Sequence, residues 1–370
     1  MVELMVSMTI GLLIVGAVLY VYLGSRGAYR TSKSTSRIQE AGRFGTDAIL
    51  RDVRQVGYIG CGSRISLQTY APPQINEIAN PPPLPVTSPP PLTMSSLGLV
   101  VLGYSATSYQ PGAAVSWPPP PGLTIPRTAG DVLVLPIATS APLAMVRDPD
   151  PAIPAIFLAN NCGKITTDSL LMVSSCTMAT ALRVSNAPDT SPAACPANGA
   201  VVAGGVEIDH RAQDVNGNTV NGNPPNNSTA LTLPLQPALT MTAMPSVQAF
   251  DEVSYYVGQF PGNVRPPALY RYSAVVGAAE EIIDHVENLC AVYGVAGGGN
   301  ILFQTADQVS LNNAWPNVVS MRVSLMVAGD ELGAVDAPQT LPFCGVNVTA
   351  PDTRLRQVFT ATGALRDRLQ

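Results

Sequence analysis

The first stretch of the chain restricts its fold more than any other. Val2-Glu3-Leu4-Met5-Val6-Ser7-Met8-Thr9-Ile10-Gly11-Leu12-Leu13-Ile14-Val15-Gly16-Ala17-Val18-Leu19-Tyr20-Val21-Tyr22-Leu23 is apolar apart from one carboxylate, Glu3, at its start. About twenty apolar residues suffice to cross a hydrocarbon core of ~30 Å as a helix. An acid at the edge of such a helix is costly without a partner, so Glu3 is the first candidate functional residue. A cleaved signal peptide is the competing reading. That segment needs a basic start, a shorter apolar core and a small-residue cleavage site. No Lys or Arg precedes the run, and Ser25-Arg26-Gly27-Ala28-Tyr29-Arg30 leads into a polar helix. A retained anchor over 1–24 is therefore expected.

The helical pattern continues over 25–58. Ile38, Ala41, Gly45, Ala48 or Ile49, Val53 and Val56 recur every three to four residues as one apolar stripe. Lys33, Arg37, Glu40, Arg43, Asp47, Arg51, Asp52 and Arg54 fill most of the rest, and Gly57 supplies the stop. One helix thus reads as apolar all round at its start and amphipathic at its end.

The remainder, 59–370, reads as a β-rich head, which makes the fold class α+β. Thirty-five Pro and 31 Gly favour a loop-rich β architecture. Strand-like runs occur at Leu97–Tyr104, Asp131–Ile137, Ser169–Ser174, Ala181–Ser185, Ala230–Leu235, Val247–Val257 and Ala268–Ala274. Val319–Leu325 alternates with period two, the mark of a half-buried strand. Ala279–Leu289 is ambiguous: Ile282, Ile283, Val286 and Leu289 fit a helix, with a strand as the alternative. The Pro-rich blocks Pro72–Pro91 and Pro118–Pro121 read as loops between strands.

Charge and side-chain chemistry exclude several functions. Charged residues make up 12% of the chain and the net charge is -5, which supports neither nucleic-acid binding nor a polybasic membrane patch. No C-x-x-C pair exists and there are only two histidines, so no metal or other cofactor is expected. Asp214-Val215-Asn216-Gly217-Asn218 begins like a calcium loop, but Thr219 and Pro225 stand where the turn glycine and bidentate Glu belong. His210 and His285 each have a carboxylate beside them in sequence, and adjacent side chains point apart on regular elements. No nucleophile elbow or zincin helix occurs, so no catalytic residue is assigned. Six cysteines, Cys61, Cys162, Cys176, Cys195, Cys290 and Cys344, behind an anchor suggest disulfides in an oxidising compartment, with free buried thiols as the alternative. Their connectivity stays open. Cys61, at the helix end, is placed to staple the stalk to a sheet, with Cys176 a candidate partner. Cys290 and Cys344 bracket the Val319 strand.

Val2-Glu3-Leu4-Met5-Val6 before a long apolar run resembles the start of a mature type IV pilin or pseudopilin. Glu40-Ala41-Gly42-Arg43-Phe44, then Leu50-Arg51-Asp52-Val53-Arg54-Gln55-Val56-Gly57-Tyr58-Ile59-Gly60-Cys61, is similar to the PilW-type minor pilins. Asp131–Val134, Leu171–Cys176, Val286–Leu289, Tyr293–Val295, Asp352–Phe359 and Ala364–Leu369 are compatible with that family. Ser63 to about Gly130 carries no motif of it. Precursors of the family carry a short basic leader ending in Gly, then Phe and two more residues before the Val-Glu pair. Met1 stands just before Val2, so the expectation is a late gene start or a truncation, and no cleavage by the prepilin peptidase as written.

The resemblance implies a minor pilin without enzymatic activity that joins a complex priming pilus assembly and capping the tip. Its implied partners are other minor pilins and the tip adhesin, the major pilin, the inner-membrane assembly platform and the membrane. Its implied location is the inner membrane with a periplasmic head, then the extracellular fibre. Glu3 takes the role of the family's filament-assembly glutamate, pairing with a neighbour's N-terminal amine. Three rivals stay open: a minor pseudopilin of a type II secretion system, a membrane-anchored periplasmic hydrolase, and an adhesin that binds a surface or glycan directly.

Overall fold

The computed structural model describes residues 2–57, 101–111, 125–146, 155–167, 169–174, 179–209, 246–260, 262, 265–273 and 276–365. The chain starts with a single helix, α1 (Val2–Val53, 52 residues), ~78 Å long at 1.5 Å per residue. From Val2 to Lys33 its described side chains are all exposed. By length and composition this half can cross a membrane. Ser7 Oγ donates to Leu4 O (3.1 Å) and Thr9 Oγ1 to Val6 O (2.8 Å). These two hydroxyls are therefore satisfied without water. From Ser34 the helix becomes one-sided. Ile38, Gly45, Ile49, Val53 and Val56 are buried, as the stripe predicts. The helix ends before Gly57, which adopts φ 80°, the left-handed value that favours glycine after a helix.

The strands follow as β1 (Leu102–Tyr104), β2 (Arg127–Ala138), β3 (Leu143–Ala144), β4 (Ala155–Leu158), β5 (Leu170–Ser174), β6 (Ala179–Arg183), β7 (Val206–Asp209), β8 (Ser246–Gly258), β9 (Ala268–Ser273), β10 (Ala278–Asp284), β11 (Val286–Gly297) and β12 (Asn300–Gln304). After a short helix α2 (Ala306–Leu311) come β13 (Val318–Ala328), β14 (Thr340–Phe343), β15 (Val346–Thr349) and β16 (Arg356–Ala364). All their pairings are antiparallel. An eight-stranded sheet is built around β8, with β2 and β3 on one side and β5 and β9 on the other. A second sheet runs β12-β11-β13-β16.

Both sheets and the upper half of α1 share one core. Ile38, Ile49 and Val53 meet Leu133, Val253 and Tyr255 of the first sheet and Leu289, Tyr293, Met321, Val323 and Leu325 of the second. Contact is close because both surfaces use glycine. A Cβ on Gly42 would lie 2.2 Å from the Phe359 ring, and one on Gly363 would lie 2.8 Å from Leu50. A smaller core between β4, β5, β7 and the start of β8 gathers Ile156, Leu158, Val173, Ile208 and Val247.

The ambiguous Ala279–Leu289 segment is two strands, β10 and β11. They part at His285, whose φ of 58° breaks the ladder. That break corrects the expectation that His285 and its neighbour point apart. Its Nδ1 lies 3.2 Å from Asp284 Oδ2 and its Nε2 3.4 Å from Asp330 Oδ1. The Pro-rich blocks, the Ala230–Leu235 run, the Asp214–Asn218 loop and His210 lie outside the described residues.

Candidate functional site

Glu3 is in the first turn of α1, where a carboxylate complements the positive helix end. It is exposed and makes no ion pair among the described residues. Val2, Leu4, Met5 and Val6 beside it are exposed too. Gly11 and Gly16 have nothing within 4 Å of the position of an added Cβ. This half of the helix therefore meets no surface of its own chain among the described residues.

Where the helix joins the head, ion pairs replace bare apolar surface. Arg30 Nε lies 3.2 Å from Glu331 Oε2, and Arg37 pairs with Asp330. Deeper, Asp52 Oδ2 accepts from Arg271 Nε (2.9 Å) and from the Tyr255 hydroxyl (2.7 Å). Asp52 is buried, which corrects its assignment to the solvent face of the helix. The signal was present: 45, 49, 52 and 56 step by four, three and four. Asp52 thus belongs to the buried stripe. The Tyr255 phenol is pushed above its ordinary value, by burial first and then by the Asp52 charge.

Four of the six cysteines form two disulfides. Cys162–Cys195 joins the loop after β4 to a single 3-10 turn at Pro192–Ala194, with Cα atoms 4.7 Å apart. Beside it, Asn161 donates to the carbonyls of Ile165 and Asp189, 2.9 Å each, and accepts from the Ile165 amide. Cys290–Cys344 joins β11 to the turn between β14 and β15, with Cα atoms 6.0 Å apart. That bond holds Phe343 and Val348 over the outer face of the second sheet. Cys61 and Cys176 lie outside the described residues.

Asp131 lies next to the second disulfide and was not singled out by sequence. It is buried and accepts from the amides of Ala106 (2.7 Å) and Ala291 (2.8 Å) and from the Tyr109 hydroxyl (2.9 Å). Burial pushes its carboxyl up to about 6, against those three hydrogen bonds. One carboxylate oxygen and the two sulfurs lie within 4.8 Å of one another. Both sulfurs are in the disulfide, so neither is the thiolate a metal takes. The cluster ties β1, β2 and β11 to the β14–β15 flap. A second unpredicted junction is Arg356, 1% exposed, which donates to both Glu287 oxygens (2.7 and 2.9 Å) and pairs with Asp352 (2.8 Å).

The family model described as "Type IV Pilus-assembly protein W" matches residues 254–367, from the second half of β8 to beyond β16. The match supports a part in type IV pilus assembly. It contains the Val286–Leu289, Tyr293–Val295 and Asp352–Phe359 segments of the resemblance. The first 61 residues lie outside it. No curated protein and no solved structure matches the chain.

Proposed function

We propose that this chain is a minor pilin. It joins a complex of minor pilins that primes type IV pilus assembly, and it stays at the fibre tip. The observation that carries this reading is the division of α1: its upper half is packed on two sheets, and its lower half presents apolar surface and one acid to nothing among the described residues of its own chain. A lone span in lipid needs no acid at its start, since an unpaired charge there costs several kcal/mol. A span that packs among related helices gains a partner for that charge, and Gly11 and Gly16 let helices approach closely. Glu3 is the filament-assembly residue, and it pairs with the N-terminal amine of a neighbour. The 59–370 head contributes contacts with other minor pilins and the tip adhesin, without enzymatic turnover. Before assembly the helix spans the inner membrane and the head is periplasmic; afterwards both are in the extracellular fibre.

The test is recovery of the full chain. Surface fibres are sheared, and the anchored protein is separately pulled down in detergent. The chain is expected in the sheared fraction at low stoichiometry and together with other pilin-like subunits. Recovery only as a solitary membrane protein would overturn the reading.

A further inference from the structure

The edge of the second sheet carries a surface that the anchor does not account for. Strand β12 pairs with β11 on one side, and no other strand is paired to it among the described residues. It turns back from β11 through Gly298 and Gly299, with φ of 59° and 84°, a two-residue turn that fixes the hairpin register. Ile301, Leu302 and Phe303 in this strand are 50%, 62% and 40% exposed. Edge strands are usually blunted by charge, proline or a bulge. Asn300-Ile301-Leu302-Phe303-Gln304 contains no charge and no proline, and its five pairings with β11 run without a shift. The opposite edge of this sheet, β16, packs beneath α1, with Phe359 against Gly42.

A cation reaches this edge from two strands away. Arg322 on β13, paired with Val292 of β11, reaches diagonally across that strand and lays its guanidinium 4.1 Å from the centre of the ring of Phe303, which pairs with Gly294. A Cβ at Gly294 would lie 2.1 Å from Ser320 Oγ, 2.9 Å from Ile301 and 3.4 Å from the Phe303 ring, so glycine lets these side chains pack across β11 on the face that Arg322 shares. Arg322 is exposed, donates to Thr362 Oγ1 at 3.4 Å, and has no carboxylate partner among the described residues. A row of main-chain groups with no strand partner among the described residues calls for an extended peptide. An unpaired guanidinium over the neighbouring aromatic calls for a carboxylate on it.

We propose that β12 receives an extended strand of another protein, carrying an acidic side chain on the Phe303 face where it meets Arg322. The strand continues the β12-β11-β13-β16 sheet by main-chain hydrogen bonds. Ile301 and Phe303 pack against its apolar residues, and Arg322 selects for the acid. This surface lies on the head and does not depend on how α1 is used.

The test uses the full-length chain in detergent micelles and two short peptides of alternating valine and threonine, one with a central glutamate and one with a central lysine. Amide hydrogen exchange is followed over Asn300–Gln304. The glutamate peptide is expected to protect these amides and to bind about three-fold more tightly than the lysine peptide, the size of a cross-strand charge pair. Arg322→Glu is expected to reverse that order, and Arg322→Gln to abolish it. Both variants change an exposed side chain, and unchanged exchange across β8 confirms the fold. No protection at millimolar peptide, or a preference that ignores the charge at 322, overturns the proposal. Protection that rises with protein concentration in the absence of peptide assigns the edge to a second copy and overturns it too.

Discussion

Residues 2–33 and 34–53 of α1 form one continuous helix, yet they meet different surroundings. In the lower half, glycines 11, 16, 24 and 27 all face open space. In the upper half Gly42 and Gly45 are filled by Phe359, Ile283 and Leu325. The lower half carries a single acid at its end. In the upper half Asp52 is buried and clamped by Arg271 and Tyr255. A glycine or an acid in a helix therefore has no fixed meaning. Its role is set by whether the chain itself supplies the surface it faces.

The largest expected effect separates the halves outright. Glu3→Ala or Glu3→Lys is expected to leave the head folded and to abolish incorporation into fibres. Circular dichroism of the purified chain and immunoblots of sheared fibres read the two quantities. Wild-type incorporation by Glu3→Lys would sink the role given to this acid. Asp52→Ala makes the opposite exchange. It strands Arg271 against the core, and breaking a buried pair costs ~3–5 kcal/mol. Arg271 retains some exposure, so about 3 kcal/mol of head stability is expected to be lost, read by urea titration of the full chain in detergent. A loss under 1 kcal/mol would mean the pair does not hold the helix.

Next is a matched pair of glycine substitutions. Gly42→Ala forces the Phe359 ring to move, and overpacking of this kind costs ~1–3 kcal/mol. Gly16→Ala meets nothing and adds helix propensity. The head is expected to melt about 5 °C lower with the first and unchanged with the second. Equal effects would erase the distinction between the halves.

Much of this contrast is legible in the sequence. The stripe from Ile38 to Val56 is buried where its spacing puts it, because helix periodicity is a local property. The alternation over Val319–Leu325 is β13 for the same reason: Met321, Val323 and Leu325 face the core, while Arg322 faces out. What could not be read are junctions between residues far apart in sequence. Asp52 meets Arg271, Asp131 meets Tyr109 and Ala291, and Arg356 meets Glu287 only after the sheets form. The break at His285 was also hidden, since a left-handed residue between two strands leaves no periodic trace. The pairing of Cys290 with Cys344 follows from the β14–β15 flap, which lacks a run long enough to announce itself.

The smallest expected effect belongs to pH and acts on the head end of the contrast alone. Glu252 lies on β8, three residues before the tyrosine that holds Asp52. Burial, aided by the neighbouring Asp251 charge, pushes its carboxyl up to about 7 from an ordinary 4.5. Between those values the folded chain binds more protons than the unfolded one, so stability falls as pH rises. The contribution is complete below about 4.5 and is lost on passing about 7. Asp131, raised to about 6 by burial, acts with the same sign. Part of Glu252 still reaches solvent, so a gain on the order of 1–2 kcal/mol is expected between pH 8 and pH 5. Melts of the full chain at the two pH values measure it. Glu252→Gln is expected to remove most of the slope and to leave fibre incorporation intact, because the substitution touches only the half of the molecule that α1 has already docked. A slope of opposite sign, with the head less stable at pH 5 than at pH 8, would show that acids held by ion pairs, such as Asp352 with Arg356, outweigh the buried ones.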